Sequence, residues 1–150
     1  MSTSLLTRAF TGQAAAGRPG VAQATRKRIL VVDDDPNVLA ALGRLLLRVD
    51  VDAATCADPE TAIKLFSEQS FDLVISDERM PKMSGLDMLG RVRAASPATP
   101  TILLTAYSDE RSQCRAYERC GVYRFVTKPW NNFELIATIR DALRAAETIR

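Results

Sequence analysis

The sequence predicts an α/β fold, a doubly wound sheet of five parallel strands with helices on both faces. Three observations predict it. Short β-branched runs alternate five times with helix-length segments, the pattern of successive βαβ units. Those segments carry apolar residues at helical spacing. The chain of 150 residues, 47% apolar and 25% charged, has the size and composition of one ordinary domain. Right-handed crossovers restrict the topology of such a sheet, and its ligand site lies beyond the carboxyl ends of the strands.

The elements follow in order. Residues 1–27 are rich in Gly, Ala, Ser, Thr and Gln with little apolar pattern, and read as a flexible basic tail. Residues 1–32 hold Arg8, Arg18, Arg26, Lys27 and Arg28 and no acid, a local charge of +5 within a whole-chain net of +2. An organelle transit peptide shares that bias, but this segment is only weakly amphipathic. The folded part runs over 28–146, with 147–150 as a C-terminal end. Its strands are "RILVV" from Arg28, "DAATC" from Asp52, "LVIS" from Leu73, "TILLT" from Thr101 and "YRFV" from Tyr123.

Five predicted helices follow the five strands in turn. "PNVLAALGRLLLRV" places Val38, Leu39, Leu42, Leu45, Leu46 and Val49 on one face. "DPETAIKLFSEQ" opens with Asp58 as a cap and Pro59 at the first helical position. "SGLDMLGRVRAA" has Ser84 three residues before Asp87, close to a capping box. "SDERSQCRAYERC" starts with Ser108 and two acids, which suit a helix N-terminus. "NNFELIATIRDALRAAETI" has Asn131 three residues before Glu134 and a stripe of Phe133, Ile136, Ile139 and Leu143.

Composition excludes several function classes. There is no histidine, which removes the commonest transition-metal ligand and general base. Cys56, Cys114 and Cys120 are too few and too irregular for a disulfide framework or a zinc site, and read as small hydrophobes in a reducing cytosol. The apolar runs are too short to span a membrane. The near-neutral balance gives no general attraction to nucleic acid.

Chemistry gathers at the strand ends. The first strand ends at Asp33, Asp34 and Asp35, the third at Asp77, the fourth at Thr105, and the fifth near Thr127 and Lys128. Asp35, followed by Pro36, is read as a helix cap. Acids clustered with one lysine and no histidine suit a hard cation such as magnesium, bound through one or two carboxylates, a carbonyl and waters. A carboxylate there can attack phosphorus to form an aspartyl phosphate, with Lys128 neutralising the added charge and Thr105 donating a hydrogen bond.

"ILVVDDDP", "LVISDERMPKMSGLDML", "ILLTAYS" and "YRFVTKPW", in this order and spacing over Arg28 to Ala146, resemble the receiver domain of two-component response regulators. Each piece is moderately specific and the set is highly so. The resemblance implies the flavodoxin-like (βα)5 receiver fold. It implies Asp77 as phosphoacceptor, Asp34 binding magnesium directly, Asp33 mostly through water, and the Arg79 backbone carbonyl as a further metal ligand. It also implies Thr105, Ala106 and Lys128 at the phosphoryl group, with Lys128 and Asp77 carrying the catalysis, Thr105 and Phe125 as the switch pair, and a cis Lys128–Pro129 peptide. Met80, Pro81 and Gly85 match the loop after the acceptor.

The implied function is a bacterial, cytoplasmic phosphorylation switch that accepts a phosphoryl group from a sensor histidine kinase or phosphotransfer protein. It acts on itself and is otherwise not an enzyme. Its output is a change in protein contacts, with an unknown partner or a homodimer, through the fourth helix, fifth strand and fifth helix, where Arg111, Arg115 and Arg119 repeat at helical spacing. No membrane or direct nucleic-acid binding is expected. The alternatives are a constitutive pseudo-receiver that only docks, and a receiver fragment of a larger regulator with an output domain. Intact Asp33, Asp34, Asp77, Thr105 and Lys128 argue against the first. A phosphohydrolase would want D-x-D-x-T where "DDDPN" stands. Glu78 and Arg79, directly after the acceptor, depart from the family's pattern and bear on metal affinity and phosphoryl lifetime. Trp130 is read as packing near the Lys128 loop.

Overall fold

The first four apolar residues of "RILVV" point alternately to opposite faces, and all four are fully buried, so helices must cover both sides of this strand. The computed structural model describes residues 6–9, 26–106 and 121–149. Its elements are β1 (Leu6–Ala9), β2 (Arg28–Val32), α1 (Pro36–Leu46), β3 (Asp52–Cys56), α2 (Pro59–Glu68), β4 (Leu73–Asp77), α3 (Gly85–Ala95), β5 (Thr101–Thr105), β6 (Arg124–Thr127) and α4 (Asn132–Ile149).

Strand order is β1-β3-β2-β4-β5-β6. The strands from β2 to β6 pair in parallel, as the sequence predicts, with Ile29 opposite both Ala53 and Leu73. Ile29, Val31, Leu73, Ile75, Ile102 and Leu104 face α1 and α4, where they meet Leu42, Leu46, Leu135 and Ile139. Leu30, Val32, Val74 and Leu103 face the other way, onto Ala62 and Leu65 of α2 and Met88, Leu89 and Val92 of α3. Each fully buried aliphatic side chain contributes about 1.5–3 kcal/mol through removal from water.

Helix starts are fixed by side chains. The Asn37 N–H donates to Asp35 Oδ1 at 2.9 Å, the Thr61 N–H to Asp58 Oδ2 at 3.0 Å, and the Asp87 N–H to Ser84 Oγ at 3.1 Å. The Glu134 N–H donates to Asn131 Oδ1 at 3.1 Å. Four of the five predicted helix starts are therefore in place, and the fifth, at Ser108, lies outside the described residues.

Several expectations need correction. Within the segment read as a flexible tail, Leu6–Ala9 forms a strand antiparallel to β3, with Leu6 opposite Cys56 and Ala9 opposite Ala53. The outer edge of β3 offers backbone donors and acceptors that a passing segment can satisfy. The first helix ends at Leu46 rather than Val49, in turns where Arg48 and Val49 donate to Leu45 and Leu46 before Asp50 adopts φ 59°. The last strand is Arg124–Thr127, one residue later than predicted. Phe133 leaves the predicted stripe and is 80% exposed, because at about 100° per residue it lies nearly opposite the buried Leu135. The helix predicted over 108–120, with Arg111, Arg115 and Arg119, lies outside the described residues, as do Cys114 and Cys120.

Candidate functional site

The chain leaves β2 toward β3 on one side, and later places β4 on the other side of β2. This reversal opens a crevice at the carboxyl ends of β2 and β4, the place where such sheets bind ligands. Asp33 and Asp34 follow β2, and Asp77 ends β4. One carboxylate oxygen from each of the three lies within 4.8 Å of the others. Asp33 and Asp77 are buried, while Asp34 faces solvent.

Lys128 closes the group. Its Nζ donates to Asp77 Oδ1 at 2.6 Å and to Asp33 Oδ2 at 3.2 Å. The Lys128 N–H donates to the Thr105 carbonyl at 2.7 Å, so the loop after β6 is tied to the end of β5. The Lys128–Pro129 peptide is cis, as the resemblance implied. Burial holds the Asp33 carboxyl above the usual carboxylate range, partly offset by the hydrogen bond from the Asp35 N–H and by Lys128. Burial pulls on the Lys128 ammonium in the opposite sense, but its hydrogen bond to Asp77 and the charges of Asp33 and Asp77 outweigh that and raise its pKa.

The loop after Asp77 is held closely. The Glu78 N–H donates to the Leu104 carbonyl at 2.9 Å, and the Glu78 carbonyl accepts from the Gly85 N–H at 2.8 Å. A Cβ at Gly85 would stand 1.9 Å from the Asp77 carbonyl oxygen, so only glycine permits this approach. Arg79 projects into solvent, and Met80 packs partly against the core on the α2 and α3 side. Thr105 is buried, and its Oγ1 donates to Glu78 Oε1. Ala106 is exposed at the end of β5, and Phe125 lies half-buried in β6 against the α2 and α3 side of the core. Trp130 packs partly against the other side, and its Nε1 donates to Asn132 Oδ1 at 3.0 Å.

Residues 29–140 match the family described as the response regulator receiver domain. The chain belongs to that family. A solved receiver domain of an HD domain-containing protein from Pseudomonas fluorescens Pf-5 is 33% identical, with a TM-score of 0.79 over 87% of this chain and 97% of that one. The regulatory protein AtoC of Escherichia coli (strain K12) is 35% identical over 117 residues, 78% of this chain and 25% of that protein. The alkaline phosphatase synthesis transcriptional regulatory protein PhoP of Bacillus subtilis (strain 168) is 31% identical over 121 residues, 81% of this chain and 50% of that protein. The receiver chain thus spans only about a quarter of the AtoC length and half of the PhoP length. No helix among its described residues is long and apolar enough to cross a membrane.

The strand-end rule found the acids and the lysine of this receiver. It did not find that Glu78 engages Thr105. Those residues are 27 apart, and the one available signal was an extra acid beside Asp77.

Proposed function

We propose that this receiver is a magnesium-dependent phosphorylation switch with Asp77 as its acceptor. One observation carries the reading: a single ammonium, Lys128, bridges two buried carboxylates beside a third, exposed one. A carboxylate that must accept an anionic phosphoryl group needs neighbouring positive charge, and Lys128 supplies one. The donor set fits magnesium. It is all oxygen and compact, and Asp33 already spends one oxygen on the Asp35 N–H and the other on Lys128, which suits contact through water. Asp34, Asp77 and the Arg79 carbonyl would hold the ion directly. When bound, it screens the acids and the developing phosphoryl charge.

An Asp77 carboxylate oxygen forms the O–P bond while the P–N bond to a donor imidazole breaks, and the electron pair stays on the imidazole nitrogen. Lys128 remains at Asp77 as charge accumulates. The Thr105 hydroxyl and the backbone at Ala106 then meet the phosphoryl oxygens. Withdrawal of Thr105 opens space for the Phe125 ring, which links the acceptor to the β6 and α4 surface. The donor is a histidine kinase or phosphotransfer protein in the cytoplasm. The output is a changed protein contact, in this chain alone or within a larger regulator.

The test is incubation with acetyl phosphate and magnesium, followed by intact mass measurement. A single added phosphoryl group is expected, absent without magnesium and absent in Asp77→Asn. A phosphoryl group that persists in Asp77→Asn refutes the assignment.

A further inference from the structure

Thr105 is the hydroxyl expected to reach the phosphoryl group, yet it already has an acceptor. Its Oγ1 donates to Glu78 Oε1, on the residue directly after Asp77. A hydroxyl carries one proton and can donate it to one oxygen at a time. While Glu78 holds that proton, no phosphoryl oxygen can receive it.

The contact is built into the loop. The backbone of Glu78 is fixed on both sides, by its N–H to the Leu104 carbonyl at 2.9 Å and by its carbonyl to the Gly85 N–H at 2.8 Å. Gly85 itself is pressed against the Asp77 carbonyl, so the turn has little room to shift. Leu104 pairs with Asp77 across the β4–β5 ladder, and Thr105 follows it. The Glu78 side chain is therefore carried to the end of β5 by the same hydrogen bonds that shape the acceptor loop. Thr105 is only 3% exposed, so its hydroxyl has restricted access to water as a substitute partner.

We infer that Glu78 is a latch on the switch: its carboxylate competes with the phosphoryl group for the Thr105 hydroxyl and holds the receiver in its resting state. This rests on the phosphoacceptor reading of Asp77. Phosphorylation replaces the single negative charge of the Asp77 carboxylate with nearly two on the phosphoryl oxygens, a net gain of about one charge beside the Glu78 carboxylate. Like charges repel, so the event that offers Thr105 a new acceptor also drives off the old one. The resting state is held by a charge-assisted hydrogen bond, which raises the phosphoryl occupancy needed to turn the switch.

The test uses beryllofluoride, formed from beryllium and fluoride salts in saturating magnesium. Binding is followed by the amide shifts of Val126 in β6, away from the acceptor loop, in the full chain. Glu78→Ala is expected to bind about tenfold more tightly than wild type, the scale of one lost hydrogen bond to a charged group. Glu78→Gln keeps an acceptor but no charge, and is expected to fall between the two. In a Thr105→Ala background, the gain from Glu78→Ala is expected to shrink to a small remainder, because there is no hydroxyl to release and only charge repulsion is relieved. Equal midpoints for wild type, Glu78→Ala and Glu78→Gln overturn the latch. So does a full gain that persists without the Thr105 hydroxyl, which would make Glu78 a mere repulsive charge. Either result leaves Asp77 as acceptor. Failure of wild type and every variant to bind beryllofluoride overturns the acceptor reading and the latch together.

Discussion

Lys128 decides whether the acid cluster is tolerable. Asp33 is 1% exposed, and an ionised carboxylate at that depth is costly unless a cation stands beside it. The Lys128 side chain is 25% exposed, so solvent weakens the pair somewhat. Lys128→Ala is expected to lower stability by about 1–3 kcal/mol without metal, because the buried Asp33 loses its partner. Magnesium should restore part of that loss, since an ion bound only by the folded state stabilises it. Its affinity should rise in the variant, where no ammonium competes. Urea unfolding with and without magnesium checks both points; a variant as stable as wild type in metal-free buffer removes the argument. At this scale the sequence was readable wherever a residue's role follows from its strand. Asp33, Asp34, Asp77, Thr105 and Lys128 all sit at carboxyl ends, and parallel pairing must bring such ends to one edge. The Glu78 contact with Thr105 depends on side-chain direction across two neighbouring strands, which no spacing encodes.

At the scale of elements, the helix starts were legible because a capping side chain acts on an N–H two or three residues away. Asp58 shows how much chemistry one cap can carry. Its Oδ2 accepts from the Thr61 N–H at 3.0 Å and from the Thr61 hydroxyl at 2.8 Å, and Lys82 Nζ stands 3.6 Å from its Oδ1. The hydrogen bonds from Thr61, with Lys82 adding to them, hold the Asp58 carboxyl below its ordinary pKa. A carboxyl depressed on folding contributes stability that is complete above its unfolded pKa of about 3.9 and disappears as pH falls through the folded value. Asp58→Ala is therefore expected to cost about 1 kcal/mol at pH 7, and the gap from wild type should narrow as pH falls below about 4. Urea midpoints at several pH values measure this, and a constant gap down to pH 2 contradicts it. The Lys82 pair contributes little to that figure, since Lys82 is 72% exposed. Helix faces were less legible than helix starts. Ile136, Ile139 and Leu143 are buried as predicted, but Phe133 was assigned by its apolar character, and the turn of α4 carries it to solvent.

At the scale of the whole molecule, five parallel strands follow from alternation alone, whereas the sixth does not. β1 has four residues and no strand-like pattern on either side of it, so its order depends on an edge that some other segment provides. That edge is the outer side of β3, whose inner side pairs with β2. Ala9 lies opposite Ala53 and Arg28 opposite Asp52, so the end of β1 and the start of β2 stand two strand spacings apart, about 10 Å. Residues 10–27 connect them with far more chain than that gap needs. The long connection makes β1 the most easily detached strand, since pairing with β3 must offset the entropy of ordering it. Deletion of residues 1–25 should leave β2 and the acid cluster intact, because β2 is paired on both sides by β3 and β4 and does not touch β1. Phosphorylation at the proposed acceptor, Asp77, should be unaffected. The amides of β3 that face β1 should exchange faster with solvent, while those that face β2 keep their protection. An uncovered parallel edge also invites a second copy, so the truncated chain should self-associate more at high concentration. Hydrogen exchange resolved to single amides, with sizing over a concentration series, tests this. Identical exchange across Asp52–Cys56 in both forms would show that the arm does not hold the edge in solution.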